Sequence, residues 1–125
     1  MLNIKALLTK LVGTLGTTTT GTPTITTTTG TLVSSSYIKC GNVIQLNLTV
    51  KKSSSTAAGS DVYDGTLTDT NLQPNSSGTI GGEGYINALY MAGHITTSGG
   101  IVVRNAGGSS LAANTEVTVS FTYIV

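Results

Sequence analysis

The end of the sequence carries the pattern that most limits how this chain can fold. Every second residue from 117 onward is large and apolar, namely Val117, Val119, Phe121, Tyr123 and Val125. Such alternation places one face of a β-strand in a core and leaves the other in solvent. The same period recurs at Ile44, Leu46, Leu48 and Val50. The sequence therefore predicts two half-buried strands.

Segments rich in glycine and asparagine separate these strands from other extended stretches. Gly41-Asn42 and Ser98-Gly99-Gly100 have the composition of tight hairpin turns. Residues 84–91 and 93–97 are predicted strands, and residues 68–82 a long loop. Short strands with frequent turns predict an all-β fold, an antiparallel, jelly-roll-like β-sandwich head over residues 32–125.

A helical pattern is confined to the start of the chain, Met1–Val12. Asn3 suits the N-cap, and one face of the helix carries Ile4, Leu7, Leu8 and Leu11. A helix this short is marginal alone, because isolated helices below about 12 to 15 residues barely form in water. Its apolar stripe needs a partner, and another copy of itself is the simplest one. We therefore predict a short oligomerisation helix over residues 1–12, which aligns the copies.

Residues 13–31 form a low-complexity segment of threonine and glycine with Pro23 inside it. Threonine favours extended backbone, while glycine and proline break helices. The segment is predicted to be an extended connector between helix and head. A frayed strand and a short fibrous stem are the two alternatives.

The composition argues against several classes of partner. Only 9% of the residues are charged, the formal net charge is +1, and the six basic residues are scattered. A nucleic-acid-binding surface needs a dense basic stripe, so no nucleic acid is expected. No apolar run is long enough to insert in a membrane, and Lys5 and Lys10 interrupt the only stretch that resembles a signal peptide. Cys40 is the single cysteine, so no intramolecular disulfide can form.

Residues suited to catalysis are sparse. His94 is the single histidine, and no GxSxG motif accompanies it. The spacing of Asp61, Asp64 and Asp69 does not match a calcium-binding loop, and no phosphate-binding loop follows the glycines near residue 82. We therefore predict no enzyme activity, no metal and no cofactor.

Binding is the remaining class of function. A saccharide is recognised by an aromatic ring and by neutral hydrogen-bonding groups, and this chain is rich in Asn, Thr and Ser. The candidate aromatic platforms are Tyr63, Tyr85 and Tyr90, with a core or interface role as the alternative for each. Arg104 and Asn105, predicted at a strand end, are candidate polar contacts. A hairpin cap or a salt bridge is the alternative for Arg104.

Three stretches resemble the small β-domains at the C-termini of bacteriophage tail-fibre, baseplate and receptor-binding proteins. They are LNIKALLTKL, YIKCGNVIQLNLTV and GGIVVRNAGGSSLAANTEVTVSFTYIV. Members of that family usually carry an aromatic residue with a lysine, a Gly-Asn turn, and a final VxVSxTY strand. The corresponding residues here are Tyr37, Lys39, Gly41-Asn42 and Val117–Tyr123. The family's GTLPxGYRP segment is replaced by GTLTDTNLQP, without its tyrosine and arginine.

The resemblance implies a virion protein that forms a homotrimer and contacts other tail or baseplate proteins. Its head is then expected to bind a saccharide of the host cell wall. Such a protein resides in the phage tail and, during assembly, in the host cytoplasm. A structural decoration or connector protein without a ligand, and a bacterial surface adhesin, are the alternatives.

Overall fold

The computed structural model describes residues 3–6, 18–75, 79–86 and 89–125. Within these ranges the chain forms nine strands and one turn of 3-10 helix, Thr70–Leu72, and residues 4–6 are helical. The strands are β1 (Thr18–Gly21), β2 (Ile25–Thr29), β3 (Thr31–Cys40), β4 (Val43–Lys51), β5 (Asp61–Leu67), β6 (Thr79–Ile86), β7 (Leu89–Thr96), β8 (Gly100–Asn105) and β9 (Val117–Ile124).

The strands form two antiparallel layers that pack against each other, so the predicted all-β sandwich is confirmed. The first layer has the order β1-β3-β4-β9, and the second has the order β6-β7-β8-β5-β2. The layers are joined where β9 pairs with β6, at Ser120 opposite Glu83. The two predicted hairpins connect β3 to β4 and β7 to β8, and Gly41 in the first turn has a φ of 58°.

The core lies between the layers and follows the predicted alternation. Residues 44, 46, 48 and 50 of β4 and residues 117, 119, 121 and 123 of β9 are buried. The second layer contributes Val62, Tyr63, Leu67, Met91, Ile95, Ile101 and Val103. The layers are in close contact at Gly93 of β7, where an added Cβ would lie 2.7 Å from Val119 Cγ1.

The threonine-rich segment is not a connector from Thr18 onward. β1 pairs with β3 at the edge of the first layer, and β2 pairs with β5 at the edge of the second. Pro23 lies buried between them. Each layer ends in an edge strand, and the outer hydrogen-bonding groups of an edge strand need partners. Threonine suits these strands because its branched side chain favours extended backbone. Residues 13–17 of the predicted connector lie outside the described residues.

The structure describes only a small part of the predicted N-terminal helix. Residues 4–6 are helical, and the Ala6 amide donates to Asn3 Oδ1 at 3.2 Å, as expected for an N-cap. Ile4 is 66% exposed. Leu7, Leu8 and Leu11 lie outside the described residues, so the oligomerisation helix stays a prediction. Within the described part of the chain, no helix is long and apolar enough to span a membrane.

The two outer faces of the sandwich differ in chemistry. On the first layer, the outward residues from the row Cys40, Val43 and Ile124 to the row Ser34, Thr49 and Thr118 carry no charge, and Lys51, the next outward residue of β4, bounds this region. We call this surface the uncharged face. The outward side of the second layer carries Asp61, Asp64, His94 and Arg104, and we call it the charged face.

Candidate functional site

A polar cleft opens at one end of the sandwich, where two hairpin turns and the 68–75 loop meet. Its volume is about 400 Å³. The lining residues are dominated by primary amides and hydroxyls, namely Asn42, Thr70, Asn71, Gln73, Pro74, Asn75, Thr97 and Val125. We call it the amide cleft. None of its lining side chains is ionisable.

The backbone around the cleft is held by hydrogen bonds to the C-terminal strand. The Tyr123 hydroxyl donates to the Leu72 carbonyl at 2.6 Å, and the main-chain N–H of Asn75 donates to the Ile124 carbonyl at 2.8 Å. The Val125 amide donates to the Asn42 carbonyl, also at 2.8 Å. Leu72 and Pro74 are buried, whereas Asn71 is exposed. The cleft therefore combines a fixed backbone with accessible polar side chains.

Gln73 is fixed by its own side chain. Its Nε2 donates to the Leu67 carbonyl at 2.9 Å and to the Ser98 carbonyl at 3.3 Å. Ser98 lies in the β7–β8 turn, which depends on Gly99 with a φ of 87°, and an added Cβ there would collide with the Leu67 carbonyl oxygen. Because the nitrogen is committed to main-chain carbonyls, the Gln73 side chain acts towards a ligand through its amide oxygen.

Amides and hydroxyls give this cleft a specific chemistry. Each amide offers both donors and an acceptor, and each hydroxyl can do either. Neutral groups of this kind match a neutral ligand that carries many hydroxyls, whereas a phosphate would be better served by arginine or lysine. The lining side chains of the amide cleft can therefore form hydrogen bonds with a polar, uncharged molecule.

A second depression lies on the charged face. It has a volume of about 330 Å³ and runs over Gly100 and Val102, with Asp64 and His94 among its lining residues. Burial raises the pKa of Asp64, and the neighbouring Asp61 carboxylate raises it further. Arg104 Nε donates to Asp61 Oδ1 at 2.9 Å in an exposed ion pair, which is worth little for stability. In the described residues no group of three or more His, Cys, Asp or Glu side chains is placed to hold a metal ion.

Two of the sequence-predicted contacts lie on the charged face, but neither lines the amide cleft or the second depression. Arg104 forms a salt bridge with Asp61, which is one of the two alternatives to a ligand contact. Tyr90 is half-buried on β7, next to the buried Met91. Tyr85 pairs with Tyr90 in the backbone register of β6 and β7, and its side chain lies outside the described residues. Ligand binding by these residues stays a prediction.

The other two predicted contacts lie in the interior. Tyr63 is fully buried, and its hydroxyl lies 2.9 Å from Thr27 Oγ1, so its ring offers no exposed face to a sugar. Asn105 is also fully buried. Its Nδ2 donates to the carbonyls of Thr56 and Ser109, and its Oδ1 accepts from the Gly107 amide at 3.0 Å. Both residues therefore have a structural role in the interior, whereas the sequence predicts them as surface contacts.

Asn105→Leu is therefore expected to reduce stability rather than only a surface interaction. Leucine is similar in size but cannot bond the main-chain groups of Thr56, Ser109 and Gly107, so we expect a loss of about 2 kcal/mol. Urea unfolding measures this change. Asn71→Leu makes the same chemical change at an exposed site and is expected to alter the free energy of unfolding by less than about 0.5 kcal/mol. Equal effects of the two substitutions would contradict the structural role of Asn105.

Sequence reasoning did not select the residues of the amide cleft. The turn-forming residues of the stretch TDTNLQPN predict a loop and no particular site. Its three amides, Asn71, Gln73 and Asn75, were the available signal. Their meeting with Asn42 depends on the hairpin register, which brings the β3–β4 turn beside the C-terminus.

Comparison with known proteins gives no assignment. The chain matches no protein family, and no curated protein is significantly similar to it.

Proposed function

We propose that this chain is the head module of a phage tail or baseplate protein, assembled as a homotrimer, that binds a neutral saccharide of the host envelope. The amide cleft is the observation that carries the binding part of the proposal. The virion setting and the trimer rest on the resemblance of the sequence to tail-fibre and baseplate domains.

The geometry of the cleft supports a saccharide ligand. Sugar hydroxyls both donate and accept hydrogen bonds, and side-chain amides do the same without the desolvation cost of a charge. The hydrogen bonds from Tyr123, Asn75 and Val125 hold the loops in place before a ligand arrives. Preorganised loops lose less conformational entropy on binding, which favours affinity.

A structural role without a ligand is the second candidate. The uncharged face favours it, because a neutral sheet surface with exposed apolar residues suits protein contacts better than small-molecule recognition. This candidate predicts that the chain assembles but does not bind host cells.

Removal of two cleft amides should weaken saccharide binding. We expect Asn71→Ala with Asn75→Ala to lower the affinity for host-envelope saccharide roughly 10- to 100-fold, because each variant removes neutral hydrogen bonds worth about 0.5 to 1.5 kcal/mol. Binding of the fluorescently labelled protein to intact cells, and to a panel of purified glycans, measures the change.

The matched control removes two polar groups from the depression on the charged face, with Thr28→Ala and His94→Ala. We expect this variant to bind as well as the wild type. Equal binding of the wild type to intact cells and to cells stripped of envelope glycans would refute the saccharide proposal. Absence of binding to both would favour the purely structural candidate.

A further inference from the structure

The uncharged face carries an exposed apolar corner. Ile38, Val43 and Ile124 are 42%, 46% and 59% exposed. Val43 pairs with Ile124 across β4 and β9 and with Cys40 across β3 and β4, and Ile38 lies diagonal to Val43 on the same face. Side chains this apolar and this exposed, grouped on one surface, indicate a contact with another protein.

On the rest of the face, several polar side chains already form hydrogen bonds with each other. Thr49 Oγ1 and Thr118 Oγ1 lie 2.9 Å apart, and Ser120 Oγ donates to Asn47 Oδ1 at 2.6 Å. Polar groups that bond to each other across strands lose little when water is excluded from them. The polar end of the face can therefore be covered at low cost.

The charge of the face decides which partner fits it. A charged partner surface would lose its hydration here without gaining an opposite charge. A second copy of this face brings no charge, and copies related by a symmetry axis bring identical residues together at that axis. We infer that the uncharged face is a self-association surface, with the apolar corners of the copies meeting near the symmetry axis.

The size of the face sets the expected strength of the contact. Three strands of about seven residues and the four-residue β1, about 4.8 Å apart, span roughly 400 Å² per copy, or about 800 Å² for a pair. Interfaces below about 1,200 Å² are weak. The contact is therefore expected to depend on protein concentration and to become persistent when another segment holds the copies together.

This inference names the surface behind the proposed assembly, and it is independent of saccharide binding. Asn42 and Val125, which line the amide cleft, directly adjoin Val43 and Ile124 in sequence. Contact between the apolar corners would therefore bring the clefts of the copies towards each other. Such an arrangement favours binding to several sugars at once.

Sedimentation velocity over a range of concentrations tests the inference on the full chain. We expect the wild type to show reversible association, and Val43→Glu with Ile124→Glu to weaken it at least tenfold. Ala92→Glu with Thr28→Glu makes the same change in charge on the other layer and should associate like the wild type. Circular dichroism checks that the variants remain folded.

Cys40 supplies a second measurement, because it adjoins the apolar corner and is the only cysteine. We expect its rate of modification by a maleimide to fall as the wild type associates, with no such fall in the double glutamate variant. A wild type that stays monomeric at all concentrations, or glutamate variants that associate undiminished, would overturn the inference. A monomeric wild type would also contradict the proposed homotrimer, whereas undiminished association of the glutamate variants would leave the homotrimer standing on another surface. Saccharide binding is tested separately by the variants in the cleft.

Discussion

Gly93→Val is expected to destabilise the fold by about 3 kcal/mol or more, and Gly93→Ala by about 1 to 3 kcal/mol. An added Cβ at this position would lie 2.7 Å from Val119 Cγ1 and 2.8 Å from Phe121 Cζ. Both neighbours belong to the opposite layer and are fully or nearly fully buried. The layers must therefore separate or the core must repack, and either change loses close-packed contacts.

Urea unfolding followed by fluorescence or circular dichroism measures the effect. Gly108→Ala is the matched control, because an added Cβ at Gly108 has no atom within 4 Å. We expect the control to change the free energy of unfolding by no more than about 0.5 kcal/mol. Similar stabilities for Gly93→Ala and Gly108→Ala would show that the layers are not in contact at Gly93.

Much of the sandwich could be predicted because its central strands carry a strict period of two. β4 and β9 alternate between buried and exposed residues along their length, and their pairing puts two of these patterns side by side. In a strand that is buried on one face and exposed to solvent on the other, the alternation of apolar and polar residues shows which side chains face the core. The hairpin turns were equally readable, since few residues other than glycine and asparagine tolerate their backbone angles.

The strands that escaped prediction lack that signal. β6 (Thr79–Ile86) contains three glycines, which contribute no side chain to an alternating pattern, so the sequence predicts a loop for its first residues. β1 and β2 are built almost entirely from threonine, so their two faces carry the same residue type and the sequence does not show which face is buried. Their place in the sheet is decided by the open edges of β3 and β5, a tertiary requirement that the segment itself does not encode.

The candidate site was less predictable than the fold because burial decides the role of a side chain. A tyrosine in a strand can face the core or solvent, and Tyr63 lies beside a bulge in the pairing of β5 with β8, which disturbs the simple alternation. The amide cleft is assembled from segments far apart in the chain. No local sequence pattern predicts such a site, because only the register of the sheet places Asn42 and Asn75 in the same cleft.

The stability of this protein is expected to fall steeply above pH 10 because of Tyr123. Burial raises the pKa of this phenol from 10.0 to about 12. The unfolded chain releases the proton near pH 10, whereas the folded chain holds it until about pH 12. The stabilisation is therefore complete below pH 10 and is lost between pH 10 and 12, which amounts to about 2.7 kcal/mol. Burial also raises the pKa of Tyr63, which adds to the loss.

Tyr123→Phe separates the contribution of Tyr123 from that of every other group. At neutral pH the variant should be less stable by about 1 kcal/mol, because the Leu72 carbonyl loses its 2.6 Å donor. The variant has no phenol to ionise at this position, so it loses less stability than the wild type as the pH rises. The two curves of unfolding free energy against pH should then cross at about pH 11. Curves that run parallel from pH 7 to 12 would mean that Tyr123 ionises alike in the folded and unfolded chains, and that its hydroxyl does not hold the 68–75 loop in a buried setting.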